Sequence, residues 1–130
     1  AAHARRESPR ECCGLLIGTE FEIVEAVATV NIATEPLRSY LVSPVDHFAQ
    51  IKRGREVVSK GVIVANVIGV YHSHPRSAPV PSPTDLEEAF EEVLYIIAGQ
   101  VDDSEQFEFR GYRLQKGQFE DVQLAVAGRS

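Results

Sequence analysis

Apolar residues fall into short runs set off by glycine, proline and charged positions, and the spacing within each run predicts its element. Cys12 to Ile17 is an apolar run of strand length closed by a turn at Gly18, which suits a buried strand. Phe21 to Ile32 is rich in β-branched residues with partial alternation and predicts a second strand. The segment Thr34 to Arg38, with Pro36, predicts a loop, and Tyr40 to Val42 a short strand. Helical spacing begins at Ser43, an N-cap followed by Pro44 at the first helical position. Val45, Phe48, Ala49 and Lys52 then recur at helical intervals up to an end near Lys60 and Gly61. Val62 to Tyr71 is almost wholly apolar and predicts a central strand buried on both faces, running straight into His72. Pro75 to Pro83 contains four prolines and predicts a semi-rigid loop. Beyond it, Leu86, Ala89, Phe90, Val93 and Leu94 follow the stripe of an amphipathic helix. Tyr95 to Ala98, Phe107 to Leu114 and Phe119 to Ala127 read as closing strands, and Ala1 to Arg10 as the end of a helix broken at Pro9. Helices and strands are interspersed without regular βα alternation, which favours an α+β or mixed α-β-α arrangement.

Composition narrows the function classes. A chain of 130 residues, 44% hydrophobic and 25% charged, matches one globular domain over 1–130. A formal net charge of −6 argues against nucleic acid and anionic membrane as partners. No apolar run approaches the roughly 20 residues of a membrane span, and the basic start from His3 to Arg10 is not followed by a secretory-type apolar stretch. Cys12 and Cys13 are adjacent, a poor basis for a disulfide, so a reducing, cytoplasmic setting is expected. The absence of methionine and the polar, helix-like start predict a trimmed or processed piece of a longer product. Nothing in the pattern indicates an oligomeric state.

The chemistry concentrates after the central strand. On a strand, residues i and i+2 share a face, so His72 and His74 can turn both imidazoles toward one ion; a pair of surface histidines at a strand end is the plainer alternative. Ser82 and Asp85, with Pro83 beside the serine, match a helix capping box that needs no metal. Thr84 and Glu87 supply a second capping box, which would free Asp85 for a cation. A mixed nitrogen and oxygen set with three protein ligands suits a catalytic zinc. His3 and His47 sit in polar, helix-like surroundings and read as solvated, and the carboxylates Glu20, Glu22, Glu25, Glu87, Glu88, Glu91 and Glu92 as solvated faces. At least one of Cys12 and Cys13 reads as a small core residue; a cysteine hydrolase remains a rival on composition alone. A zinc deaminase would require a His-x-Glu and a Pro-Cys-x-x-Cys arrangement, and neither occurs.

Taken together, the stretch HSHPRSAPVPSPTD places histidine, one residue, histidine, seven residues, serine, two residues and aspartate in a row. It resembles the signature of the JAMM (MPN+) metalloprotease family, and the upstream ECCGLLIG resembles that family's glutamate block. The order of elements between the blocks is also similar, so the resemblance covers nearly the whole chain except the family's first strand and the start of its first helix. It implies a cytidine-deaminase-like α-β-α sandwich with a mixed central sheet. It further implies Zn2+ held by His72, His74 and Asp85, with Glu11 as catalytic glutamate, Glu7 as its main rival, and Ser82 as donor to the oxyanion. The implied activity is hydrolysis of a peptide or isopeptide bond after the Gly-Gly tail of a ubiquitin-like or sulfur-carrier protein. Neither the loop after His74 nor Gly99 to Phe107 has room for a large insertion, which resembles the compact prokaryotic branch. The alternative implied by the same fold is a non-catalytic zinc-binding scaffold or interaction domain.

Overall fold

Strand pairing organises the chain. The computed structural model describes residues 2–19, 22–37, 39–59, 66–75, 77–89, 93–100 and 107–125, with backbone alone at 53–59 and 88. Its elements are α1 (Ala2–Glu7), β1 (Cys13–Gly18), β2 (Ile23–Thr29), α2 (Pro44–Ser59), β3 (Asn66–His74), α3 (Pro83–Glu88), β4 (Leu94–Gly99), β5 (Glu108–Gln115) and β6 (Gln118–Val122). The strands form one six-stranded sheet in the order β2-β1-β3-β4-β5-β6. Only β3 and β4 run parallel. The mixed α+β class expected from the element pattern is what the chain adopts.

The apolar run at β1 is buried along its whole length between β2 and β3, and both Cys12 and Cys13 belong to the core. β3 lies centrally as its composition predicts, but it is not buried throughout. Asn66 is exposed, Val67 and Ile68 are half-buried, and full burial is reached at His72–His74. The less buried half of β3 lines a cavity of about 1200 Å³, bounded also by residues 39–42, His47, Gln50 and Ile51. An apolar strand is therefore covered only where neighbouring segments pack on it. Residues 60–65, the start of the predicted run, lie outside the described residues.

Four other sequence expectations change. α2 starts at Pro44 as its capping signal predicts, with the His47 amide donating to the Ser43 carbonyl. However, Val45 and Phe48 are 77% and 63% exposed, so the spaced apolar residues do not form its packed face. Asp46, which accepts from the Val30 amide at 3.2 Å, and Gln50 are the half-buried positions instead. The helix predicted from Leu86 to Leu94 is shorter: α3 stops at Glu88, Ala89 is extended (φ −78, ψ 150), and Leu94 opens β4. The apolar and β-branched residues from Leu94 onward belong to a strand largely buried in the sheet, and that tertiary pairing overrides the helical spacing. Phe90 lies outside the described residues. The strand predicted at Tyr40 to Val42 reduces to one bridge, between Asn31 and Val42. Similarly, β6 ends at Val122 rather than at Ala127, which lies outside the described residues.

Two features of this topology create a site. A parallel pair cannot be joined by a tight turn, so the chain leaving β3 must cross back over the sheet before β4. That crossover is the proline loop plus α3, and it carries Ser82 and Asp85 back toward the end of β3. β1, in contrast, is antiparallel to β3 with Cys13 opposite His72, and the Ser73 amide donates to the Cys12 carbonyl at 3.1 Å. The residue just before β1, Glu11, thereby arrives beside the same strand end.

Candidate metal centre

Four side chains converge at the C-terminal end of β3. The imidazoles of His72 and His74 face one another with their Nε2 atoms 3.3 Å apart. Asp85 spans the pair, with Oδ1 at 3.3 Å from His72 Nε2 and Oδ2 at 3.1 Å from His74 Nε2. Glu11 completes a group whose candidate ligand atoms all lie within 4.8 Å of one another. Glu11, His72 and His74 are buried, at 5%, 1% and 9% exposure.

Burial and hydrogen bonding set the charge state of this cluster. For Asp85, burial works against ionisation, but the hydrogen bonds from His72 and His74 outweigh it and hold the carboxyl far below the usual carboxylate range. Burial pushes His72 down, opposed in part by Asp85, so its imidazole is neutral. His74 is also opposed by burial, yet Asp85 and the Ala78 carbonyl raise it above its ordinary value.

The donor set fits a small divalent cation. A tetrahedral ion with bonds of about 2.0–2.1 Å holds its ligand atoms roughly 3.3–3.4 Å apart, close to the spacing among His72, His74 and Asp85. Orientation supports the same use. The Ala78 carbonyl accepts only, so the His74 Nδ1 at 3.1 Å from it carries a proton, which leaves Nε2, the atom that faces Asp85, as the one that would bind a cation on giving up its own proton.

Asp85 is positioned by the capping box itself. The Asp85 amide donates to Ser82 Oγ at 3.0 Å, and the Ser82 amide donates to Asp85 Oδ2 at 2.8 Å. The capping box leaves Asp85 a place in the cluster, because a carboxylate oxygen accepts more than one bond. The second capping box does not form: the helix begins at Pro83 with Thr84 inside it. Ser82 accepts at the cap, so its hydroxyl proton is not consumed there.

The proline loop is clamped from below. Tyr112 donates its hydroxyl to the Pro79 carbonyl at 2.8 Å, and the Gln100 amide donates to the Ser77 carbonyl at 2.7 Å. A Cβ on Gly99 would run into the main chain of Ser77, Ala78 and Pro79, so only glycine allows this approach. Gly99→Ala should displace the Ala78 carbonyl and lower metal affinity about 10–100-fold, the usual effect of disturbing a group that orients a ligand. Chelator competition on folded protein would check this, and an unchanged affinity would show that the loop yields without carrying Ala78.

Of the remaining sequence candidates, Glu7 is outside the cluster and pairs with Arg10 at 3.0 Å. His47 is exposed as expected, but His3 is not simply solvated: its Nδ1 lies 2.7 Å from the Tyr71 hydroxyl, which docks α1 on β3. Cys12 and Cys13 are buried, and burial raises both thiols, Cys13 to about 11. That disfavours a thiolate nucleophile. Glu22, Glu25 and Glu87 are exposed.

Several contributors went unnoticed in the sequence. Ser73, between the two histidines, is fully buried and takes the Cys12 amide on its Oγ at 2.8 Å. Tyr40 stacks on His72, and Asn31 ties the Tyr40 loop to Glu11. Alternation would have turned Ser73 away from the histidines; Asn31 and Tyr40 were read as parts of strands, whereas the structure has there only the Asn31–Val42 bridge in irregular chain.

A mixed-sheet α+β domain with a His–His–Asp–Glu cluster at the end of its central strand is the class of protein defined here. The chain belongs to the prokaryotic homologues of the JAB domain, whose family model matches residues 1–114. It is 35% identical over 98 residues to a probable TtuB-protein conjugate cleaving protease of Thermus thermophilus, covering 75% of this chain and 62% of that protein. It is 37% identical over 94 residues to a desampylase of Haloferax volcanii, covering 68% and 63% respectively. A CysO-cysteine peptidase of Mycobacterium tuberculosis is 30% identical over 116 residues, with 89% of this chain and 76% of that protein covered. The chain thus spans less than two thirds of the length of the first two relatives. Among solved structures, protein DSY2949 from Desulfitobacterium hafniense matches at a TM-score of 0.73 and 22% identity over 98% of this chain and 86% of that one. The JAB1/MPN domain protein AF2198 from Archaeoglobus fulgidus matches at 0.53 and 20%, over 96% and 87%. Both share the fold. Among the described residues, no helix is long and apolar enough to cross a membrane.

Proposed function

We propose that this domain is a zinc-dependent hydrolase that cuts the peptide or isopeptide bond following the Gly-Gly tail of a ubiquitin-like or sulfur-carrier protein. The observation that carries the proposal is the buried cluster of two imidazoles and two carboxylates, with ligand spacings suited to a tetrahedral ion. The names of the relatives, which refer to conjugate cleavage and to peptidase activity, support the reaction class.

His72, His74 and Asp85 would hold the zinc. When bound, the metal supplies Lewis acidity that makes water a nucleophile near neutral pH. Glu11 accepts the proton released by that water and passes it to the leaving amine, acting as general base and then general acid. Ser82 turns its hydroxyl proton toward the carbonyl oxygen as negative charge develops there, a contribution whose loss commonly costs on the order of 10²–10³-fold in turnover. The high thiol pKa values of Cys12 and Cys13 weigh against a cysteine mechanism, so a chelator should inhibit and a thiol-alkylating reagent should not.

Substrate geometry favours glycine. β3 is paired on both sides, by β1 and β4, and the sheet edges are β2 and β6. Among the described residues no free strand edge lies at the site, so a tail would reach it past the loops rather than as an added strand. Near the proline loop, where Pro75 and Pro79 are themselves buried, residues without side chains pass most closely. The test is a set of ubiquitin-like fusions with a C-terminal extension after Gly-Gly, beside versions whose last glycine is alanine or leucine. Cleavage confined to the Gly-Gly set is expected. Equal cleavage of all, or cleavage only of unrelated short peptides, would reject the preference.

A further inference from the structure

Two of the three candidate ligands are oriented by hydrogen bonds, His74 by the Ala78 carbonyl and Asp85 by the Ser82 amide. His72 is different: its Nδ1 is buried and has no hydrogen-bond partner among the described residues. What meets its ring is Tyr40, stacked at a centroid distance of 4.2 Å and an interplanar angle of 16°. Tyr40 belongs to an irregular strap, residues 31–37 and 39–42, and that strap is built around one side chain. The Asn31 amide group donates to the carbonyls of Ser39 (3.0 Å) and Glu11 (2.8 Å), and its Oδ1 accepts from the amides of Ala33 and Leu41, both at 3.0 Å. The Glu11 amide in turn donates to the Pro36 carbonyl at 2.7 Å. The main chain at Glu11 is thus held on both sides by the same strap whose ring lies against His72.

We propose that Tyr40 is a positioning residue that sets the plane of the His72 imidazole through its ring face, and that Asn31 keeps this ring in register with Glu11. The inference rests on reading the cluster as a zinc site. A flat ring stacked on an imidazole leaves in-plane directions open while preventing the imidazole from tilting, which is the function a hydrogen bond at Nδ1 performs for other metal-binding histidines. Burial raises the Tyr40 hydroxyl well above its ordinary range, so the phenol stays neutral and its ring is the active part.

The experiment compares zinc affinity, by competition with a chromophoric chelator, in wild type, Tyr40→Phe, Tyr40→Leu and Asn31→Ala, with kcat and KM on a Gly-Gly fusion measured alongside. Tyr40→Phe should match wild type, whereas Tyr40→Leu should bind zinc about 10–100-fold more weakly and lose kcat more than KM. Asn31→Ala leaves the ring but unties its strap, and should weaken zinc in the same direction; it decides the matter if Tyr40→Leu does not fold. Wild-type affinity in folded Tyr40→Leu or in Asn31→Ala overturns the inference, as does a loss in Tyr40→Phe equal to that in Tyr40→Leu. A wild-type protein that binds no zinc would instead overturn the proposed function itself.

Discussion

Glu11→Gln should leave zinc content and fold unchanged while lowering turnover of a Gly-Gly fusion by about 10²–10⁴-fold. Glutamine keeps the shape of the side chain but cannot take a proton, so the substitution removes the chemistry and spares the packing. The main-chain bonds of Glu11 to Pro36 and Asn31 do not depend on the side chain and should survive. Glu7→Gln is the matched control. It breaks a partly exposed pair with Arg10, and such pairs contribute roughly 0–1 kcal/mol, so activity should hardly change. Turnover and metal content measured on both variants check the assignment. An essential Glu7 beside a dispensable Glu11 would refute it.

The second large effect is on metal binding. A His72→Ala, His74→Ala double variant should lose stoichiometric zinc, because two of the three nitrogen and oxygen donors disappear and the remaining geometry cannot close around an ion. The same change leaves Asp85 mostly buried without the imidazoles that hold its carboxyl ionised. The metal-free double variant should therefore also unfold at lower denaturant than metal-free wild type. Metal analysis after gel filtration, with denaturant melts of both apo proteins, tests this. Stoichiometric zinc held at wild-type affinity would remove His72 and His74 from the site.

How much was legible beforehand depended on whether the signal was local. The run at β1, the apolar approach to His72 and the proline at the start of α3 are properties of neighbouring residues, and each element formed where its pattern indicated. The spacing of His72 and His74 puts both on one face of a strand and the Ser82–Asp85 spacing is a capping box, but it was the resemblance of the whole stretch to the JAMM signature that joined them into one site. Amphipathic spacing was a poorer guide. It indicated a helix through Leu94, where sheet pairing prevailed, and a packed face on α2, where Val45 and Phe48 are exposed.

By itself, then, the sequence determined β1, the strand that ends in two histidines and the capped turn that bears Asp85. Only the tertiary structure decided which segments meet. The antiparallel register of β1 on β3 selects Glu11 over Glu7, and the crossover demanded by a parallel β3–β4 pair returns Asp85 to the histidines. The Ala78 carbonyl behind His74 and the Asn31–Tyr40 strap behind His72 came from irregular chain. Backbone carbonyls are the same in every residue type, and irregular segments have no period, so contacts of this kind exist only once distant parts of the chain have packed together.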